Sequence, residues 1–480
     1  MLTGCAVGPN FQAPAPPGVT GYLSNDRAPD VAGGTGAPGQ RLAQGTDIPG
    51  EWWELFRSRH LNELIEQGIA HNAELEAAEA AVLVAQANAL AQRGALFPTV
   101  TANFNPTRQK QATGSVTPTA ATGADTFNLF TAQVTITYVA DVFGGVRRQV
   151  ESAEAQAEGQ AFQREAVYIT LASNIALAAI QEASLRGQIA ATRRLIAIQM
   201  QLLEILQRQN NQGQIALPDV VAQETALAQA RLLLPPLDKQ LAQQRDLLAV
   251  LTGRFPSENL AETFQLGSFH LPRRLPLSLP ADLVRQRPDI RAAESSLHAA
   301  NAQIGTAIAN RLPQITLSGN AGSSALALAK LFSPGTGFWM IAGNAVQTVF
   351  DAGTLENKQR AAEAATIQAA AQYRQTVLVA FQNVADTLRA MQADSRAVSA
   401  AIAAERSAAR SIDLVRRQVE QGQVSTPILL NAQQAFLQTS LARVQAEAAR
   451  LADTVALFQA LGGGWWNKKG HAEPEQETLQ

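Results

Sequence analysis

The sequence predicts a mainly α-helical protein with a small β-component, assembled from two tandem copies of one unit. Three observations point there. The first is an internal repeat. Glu74-Leu75-Glu76-Ala77-Ala78-Glu79 returns as Asp289-Ile290-Arg291-Ala292-Ala293-Glu294, and Phe97-Pro98 as Leu312-Pro313, each 215 positions on. Gln212-Gly213-Gln214 returns as Gln421-Gly422-Gln423, Pro218 as Pro427 and Gly253 as Gly462, each 209 positions on. A fixed order of motifs over such a distance marks a duplicated unit. The second observation is a pair of proline-free helical stretches, 146–211 and 355–420. The third is two pairs of strand-like segments, each lying just ahead of one of those stretches.

Composition narrows the class. Aromatic residues make up 5% of the 480 and charged residues 16%, both low. Alanine and glutamine fill the gap, which excludes a charge-rich disordered chain and argues against a thick conventional core. Lys and Arg number 38 against 40 Asp and Glu, a net charge of −2, so nucleic acid is not an expected partner. No apolar run reaches eighteen residues, so no helix is expected to span a bilayer. His60, His71, His270, His298 and His471 share no metal-ligand spacing, and HExxH and CxxC motifs are absent. Gly462-Gly463-Gly464 follows a helix and opens none, unlike a phosphate loop. With no convergent acid, base or nucleophile, neither a catalytic activity nor a cofactor is expected.

The elements follow in order. Residues 1–49 read as a leader and tether. Leu2-Thr3-Gly4-Cys5-Ala6 resembles the lipobox of bacterial lipoproteins, in which the cysteine thiol receives a diacylglycerol. No charged and apolar signal region precedes it, so the chain is expected to begin inside a signal peptide. The competing reading is a lone thiol in an unpacked leader. Pro14, Pro16 and Pro17, then a Gly/Pro/Ala-rich stretch to Pro49, suit an extended tether. Ala6 in place of aspartate is compatible with transfer to the outer membrane.

Repeat 1 covers 50–253. A helix over about 61–95 stops at Pro98, because proline ends a helix and keeps its predecessor extended. Strands are expected at 99–105 and 131–142, where Val134, Ile136, Tyr138 and Ala140 alternate with Gln133, Thr135 and Thr137. The long helix 146–211 follows, and a returning helix 218–252 carries proline in its first turn. Leu234-Pro235-Pro236 predicts a break in that helix. A linker spans 254–281. Repeat 2, 282–462, repeats the grammar: a helix to about 311, strands 314–322 and 338–350, the long helix 355–420 and the returning helix 427–461. A tail of 463–480 closes the chain. About 66 residues at 1.5 Å each give helices of roughly 100 Å. Val377, Phe381, Val384, Leu388, Met391, Val398, Ile402 and Ile412 form a seam with a period near 3.5, the mark of left-handed coiling.

Strands of this length, with one apolar and one Thr/Gln/Asn face, fit a tilted membrane strand or a small soluble cap. Four strands cannot close a barrel, and open edges are forbidden in lipid, so a membrane location requires several chains. Gly4-Cys5-Ala6-Val7-Gly8-Pro9-Asn10-Phe11, Trp52-Trp53-Glu54-Leu55-Phe56, Arg287-Pro288-Asp289-Ile290-Arg291-Ala292-Ala293-Glu294 and Leu461-Gly462-Gly463-Gly464-Trp465 then complete the pattern. From Cys5 to about Trp466 the chain resembles the TolC/OprM-type outer-membrane factors, in their lipoprotein branch.

That resemblance implies a mainly α fold with a small membrane β-barrel: a homotrimer with a 12-stranded barrel, a 12-helix periplasmic tunnel and an equatorial belt. It implies a passive exit duct working with a periplasmic adaptor (membrane fusion protein) and an inner-membrane RND-type transporter. A covalent lipid at Cys5 and contact with outer-membrane lipid are implied as well. The hairpin tips Gln212, Gly213, Gln214, Gln421, Gly422 and Gln423 are expected to form the periplasmic mouth and meet the adaptor. Relatives narrow that mouth with an apolar residue, an aspartate and an arginine. Their Leu-Leu-Asp-Ala-Gln-Arg pattern falls on Leu429-Leu430-Asn431-Ala432-Gln433-Gln434, which assigns the gate roles to Pro427, Asn431 and Gln434. Both charged members are then neutral amides. Asp219, Glu420, Arg416 and Arg417 lie close by, as an ionic latch or as complements to helix ends. Trp52, Trp53, Trp465 and Trp466 are expected to pack at the belt rather than stack a ligand. A rival function is a soluble periplasmic coiled-coil scaffold or adaptor without a pore.

Overall fold

The computed structural model describes residues 6–23, 39–110, 126–258 and 260–468. Cys5 and the tail beyond residue 468 lie outside the described residues. The chain divides into two compact units, one of 1–14, 81–160 and 292–373, the other of 15–80, 161–291 and 374–480. In chain order the elements are β1 (Arg41–Gln44), α1 (Arg59–His71), α2 (Ala73–Gly94), β2 (Thr99–Lys110), β3 (Thr126–Ala140), α3 (Gly145–Asn211), α4 (Leu217–Leu232) and α5 (Leu234–Leu251). Then come β4 (Arg274–Leu277), α6 (Pro280–Gln286), α7 (Pro288–Ala309), β5 (Gln314–Ala325), β6 (Gly337–Val346), α8 (Thr354–Glu420) and α9 (Thr426–Ala460).

The first unit holds an antiparallel sheet in the order β2-β3-β5-β6. Its register sorts the side chains by face. Val100, Ile136, Gly319 and Ile341 lie in one row, and Ala102, Val134, Ala321 and Trp339 in the next on the same side. Between them, on the other side, sit Thr101, Thr135, Asn320 and Met340, flanked by Thr99, Thr137 and Ser318. One face is apolar and the other mostly polar, because side chains alternate with a period of two. The strands are longer than expected at one end: β2 reaches Lys110 and β3 begins at Thr126, paired directly. Beyond the expected end at Asn105, polar Thr107, Arg108, Gln109 and Lys110 carry no alternation signal, yet pairing with β3 draws them into the sheet. At the other end β3 and β6 stop short of the expected 142 and 350. An aspartate turns the chain into a helix at each place. Asp141 accepts the amides of Val146 and Arg147 at 3.0 Å each, and Asp351 those of Gly353 at 2.9 Å and Leu355 at 2.7 Å.

In the second unit the long helices supply the core. Ile169, Ala172, Ile175, Ala176, Ala179 and Ala183 of α3 are buried, as are Val377, Val384, Leu388, Met391, Val398 and Ile412 of the α8 seam. The most apolar stretch of α3 is mostly buried. Three expected helices are interrupted. The helix 61–95 breaks at Asn72, whose side chain caps α2 through the amides of Glu74 and Leu75 at 3.0 and 3.1 Å. The helix 282–311 breaks at Arg287, which Pro288 holds extended. The returning helix breaks at Leu233, where Leu234-Pro235-Pro236 predicts it, with Pro235 in the first turn of α5. Residues 39–49, in the stretch expected to be an extended tether, are packed. Strand β1 pairs in parallel with β4, inside the expected linker, and Ile48 is fully buried.

Trp52, Trp53 and Trp465 and the Arg-Pro-Asp motif serve packing. Trp52 stacks on Phe458 with ring centroids 5.2 Å apart, and Trp465 donates its indole N–H to Gln286 O at 2.7 Å. Arg287 forks between the Asp289 carboxylate, at 2.6 and 3.0 Å, and Ala460 O at 2.8 Å. It thus ties the start of α7 to the end of α9.

Candidate functional site

Both hairpins of the second unit turn by the same hydrogen bonds. Gly213 N–H donates to Asn210 O at 2.8 Å and Gln214 N–H to Gln209 O at 2.9 Å. In the second copy Gly422 donates to Val419 O at 3.0 Å and Gln423 to Gln418 O at 2.9 Å. This is the Schellman ending, which needs a left-handed residue, and both glycines sit at φ 72°. All six tip residues, Gln212 to Gln214 and Gln421 to Gln423, are exposed.

Beneath the tips the hairpins share one core. Leu202, Leu206 and Val220 from the first pack with Val415, Val419 and Leu429 from the second. Polar contacts cross the same seam. Gln209 donates to Val419 O at 2.9 Å, and the Thr426 hydroxyl donates to Asp219 Oδ1 at 2.6 Å. One level deeper, three buried glutamines close a ring. Gln199 Nε2 donates to Gln433 Oε1 at 3.0 Å, Gln433 Nε2 to Gln223 Oε1 at 3.1 Å, and Gln223 Nε2 to Gln199 O at 3.2 Å. Gln223 and Gln433 are 0 and 1% exposed, so these bonds stand in for lost water.

Pro427, Asn431 and Gln434 are all exposed, on one face of α9 with i, i+4, i+7 spacing. Leu429, Ala432, Gln433 and Phe436 occupy the buried face. The structure therefore brings the three expected gate residues together on a surface open to solvent in the single chain. Of the four charges considered as a latch or as complements to helix ends, three make the contacts that follow and Arg417 is exposed. Arg416 pairs with Glu420 within α8 at 3.7 Å, both half-exposed, whereas Asp219 accepts from Thr426 across the hairpins. Sequence reading missed the glutamine ring and Thr426. One signal was available: Thr426, Leu429, Gln433, Phe436 and Ser440 follow three- and four-residue steps along the buried stripe of α9, so polar residues occupy core positions.

The family model described as outer membrane efflux protein matches residues 64–254 and 279–463, which are the two repeats. The chain belongs to the outer membrane efflux protein family. Among its members, the antibiotic efflux pump outer membrane protein ArpC of Pseudomonas putida is 28% identical over 478 residues, covering 99% of this chain and 96% of that one. The pyoverdine export outer membrane protein OpmQ of Pseudomonas aeruginosa is 28% identical over 417 residues, 86% of this chain and 87% of its own. The outer-membrane channel OprN superposes with a TM-score of 0.85 at 25% identity, over 96% of this chain and 100% of its own. The CmeC outer membrane channel of Campylobacter jejuni reaches 0.85 at 20% identity, over 97% of this chain and 96% of its own, and speaks to fold alone. The fold is TolC-like, mainly helical, in two tandem repeats. As a member of this family the chain is an efflux component of the outer membrane.

Proposed function

We propose that this outer membrane efflux protein is the exit duct of a tripartite pump and conducts small molecules passively from a periplasmic adaptor and an inner-membrane transporter to the outside. The sheet carries this reading. Among the described residues, β2 and β6 each have a free edge, and Phe104, Trp339 and Ile341 stand 56, 76 and 80% exposed. A sheet with bare edges and a bare apolar face is stable in lipid only when further copies complete it. Three copies give a closed barrel of about twelve strands with its polar face inward, within the range of known barrels. Exposed Ile367, Leu378 and Leu414 on α8 supply a second apolar face for neighbouring copies.

The finer assignments belong to the same reading. Cys5 carries the covalent lipid in the native precursor, the glutamine-glycine tips meet the adaptor, and Pro427, Asn431 and Gln434 line the closed mouth. A soluble scaffold is the poorer alternative, because it leaves the apolar sheet face in water. The test is reconstitution of detergent-purified protein into planar bilayers, with mass photometry of the same sample. Discrete conductance from particles of three chains supports the duct. A monomer that stays soluble without detergent overturns it. For Cys5, intact-mass measurement on protein made with a complete signal sequence decides, and an unmodified thiol refutes the lipid.

A further inference from the structure

Away from the tips, the second unit forms a half-open cavity of about 1070 Å³ whose lining carries more arginine than carboxylate. Arg57, Arg273, Arg274, Arg443 and Arg450 face it, against Glu54 and Glu447. Two of these arginines are committed. Arg443 bridges Glu405 at 2.6 Å and Glu447 at 2.9 Å, which also engages one of the two acids. Arg450 is 2% exposed and reaches Gln40 at 3.4 Å. Arg57, Arg273 and Arg274 are exposed on the rim, and among the described residues no carboxylate lies within salt-bridge distance of them. Val398, Ile402 and Leu451 form an apolar wall beside these cations.

The rim is rigidly built. Trp52, Trp53 and Phe56 are buried to within 2% and anchor the short helix that ends at Arg57. His270 N–H donates to Phe56 O at 2.9 Å, which ties the segment bearing Arg273 and Arg274 to that helix. Pairing of β1 with β4 fixes the same segment from its other side. Arg57 itself sits at φ 50°, one of two side-chain-bearing residues at positive φ among those described. Glycine is the natural occupant of that conformation, and non-glycine residues held there cluster at binding sites. The arginine is therefore kept at a position where its backbone disfavours it.

We propose that this cavity binds an organic anion: an apolar body of drug-like size bearing a carboxylate or phosphate. The volume suits such a ligand. Guanidinium forks on the rim grip the anionic oxygens in paired hydrogen bonds, and the aliphatic wall covers the apolar body. The cavity shares no residue with the hairpin tips or with Pro427, Asn431 and Gln434, so either reading can fail alone.

The experiment uses the full chain in detergent with 1-naphthyl phosphate and 1-naphthoate as fluorescent probes, and 1-naphthol as the neutral control. Arg57→Gly removes a cation while favouring the backbone conformation, so circular dichroism and particle mass stay at wild-type values. An Arg273→Ala, Arg274→Ala double variant removes the opposite rim. Saturable binding of one probe per chain is expected, weakened about tenfold in Arg57→Gly, more in the double variant, and reduced by salt. Comparing the two probes separates phosphate from carboxylate preference, and either preference supports the site. Equal affinity for 1-naphthol, or unchanged affinity in both variants, overturns the proposal, as does the absence of saturable binding.

Discussion

The Thr426 hydroxyl donates to Asp219 Oδ1 at 2.6 Å, joining the first turn of α9 to the first turn of α4. These turns begin the two returning helices, each just past a Gln-Gly-Gln tip. Any separation of the two hairpins beneath their tips has to break this bond.

Thr426→Val keeps the side-chain shape and removes the donor. A hydrogen bond to a charged acceptor contributes about 1.5–3 kcal/mol, so the closed state loses roughly a factor of ten or more. Single-channel recordings should show longer or larger openings than wild type. Identical records mean that the contact does not hold the mouth.

Asn431→Asp tests the gate assignment. Asn431 is exposed on the face it shares with Pro427 and Gln434, so a carboxylate there carries no burial penalty in the single chain. Three facing aspartates bind cations and repel one another, whereas three asparagines only exchange hydrogen bonds. The variant should gain cation selectivity and a block that titrates near pH 4, measured by reversal potential and conductance. If the two channels behave alike, Asn431 does not line the constriction.

The glutamine ring should behave as a structural unit. Gln433→Leu strands the amide of Gln199 and the carbonyl of Gln223 in a buried site, at about 1–3 kcal/mol for each stranded group. Thermal unfolding should shift downward in Gln433→Leu. It should shift less when Gln199→Leu and Gln223→Leu are added, because the stranded partners are then gone. Additive losses across the three sites would mean that the ring is not coupled.

Asp453 on α9 should make the stability of the helical unit depend on pH. Burial, then the neighbouring Asp394 carboxylate, pushes its pKa up to about 7, and its Oδ2 is buried without a hydrogen-bond partner among the described residues. A carboxyl group raised in the folded state binds more protons there than in the unfolded chain. Its contribution is complete below the unfolded value near 4 and is lost as pH rises through about 7. The melting temperature should fall across that window, and Asp453→Asn should flatten the fall. A wild-type profile that matches the variant's removes Asp453 as the cause.

Much of this was legible in the sequence because it is periodic or locally enforced. Duplication shows as repeated motifs, and the seam of α8 shows as three- and four-residue steps. Gly213 and Gly422 mark the turns because few other residues adopt the left-handed backbone there. The alternation in β3 distinguishes the two faces of the sheet independently of its register. Each is a short-range signal, written within one element.

Tertiary structure decided what depends on partners distant in the chain. The polar ends of β2 and β3 become strand only because Lys110 meets Thr126. Residues 41–44, glycine-poor but embedded in an unpackable composition, become β1 only because β4 arrives more than 200 positions later. The ring of Gln199, Gln223 and Gln433 and the rim of Arg57, Arg273 and Arg274 unite residues whose types and spacings carry no common pattern. A glutamine or arginine is ordinary on any helix or turn. Its meaning comes from whether its neighbours in space leave its polar atoms satisfied, and that is fixed by packing rather than by local sequence.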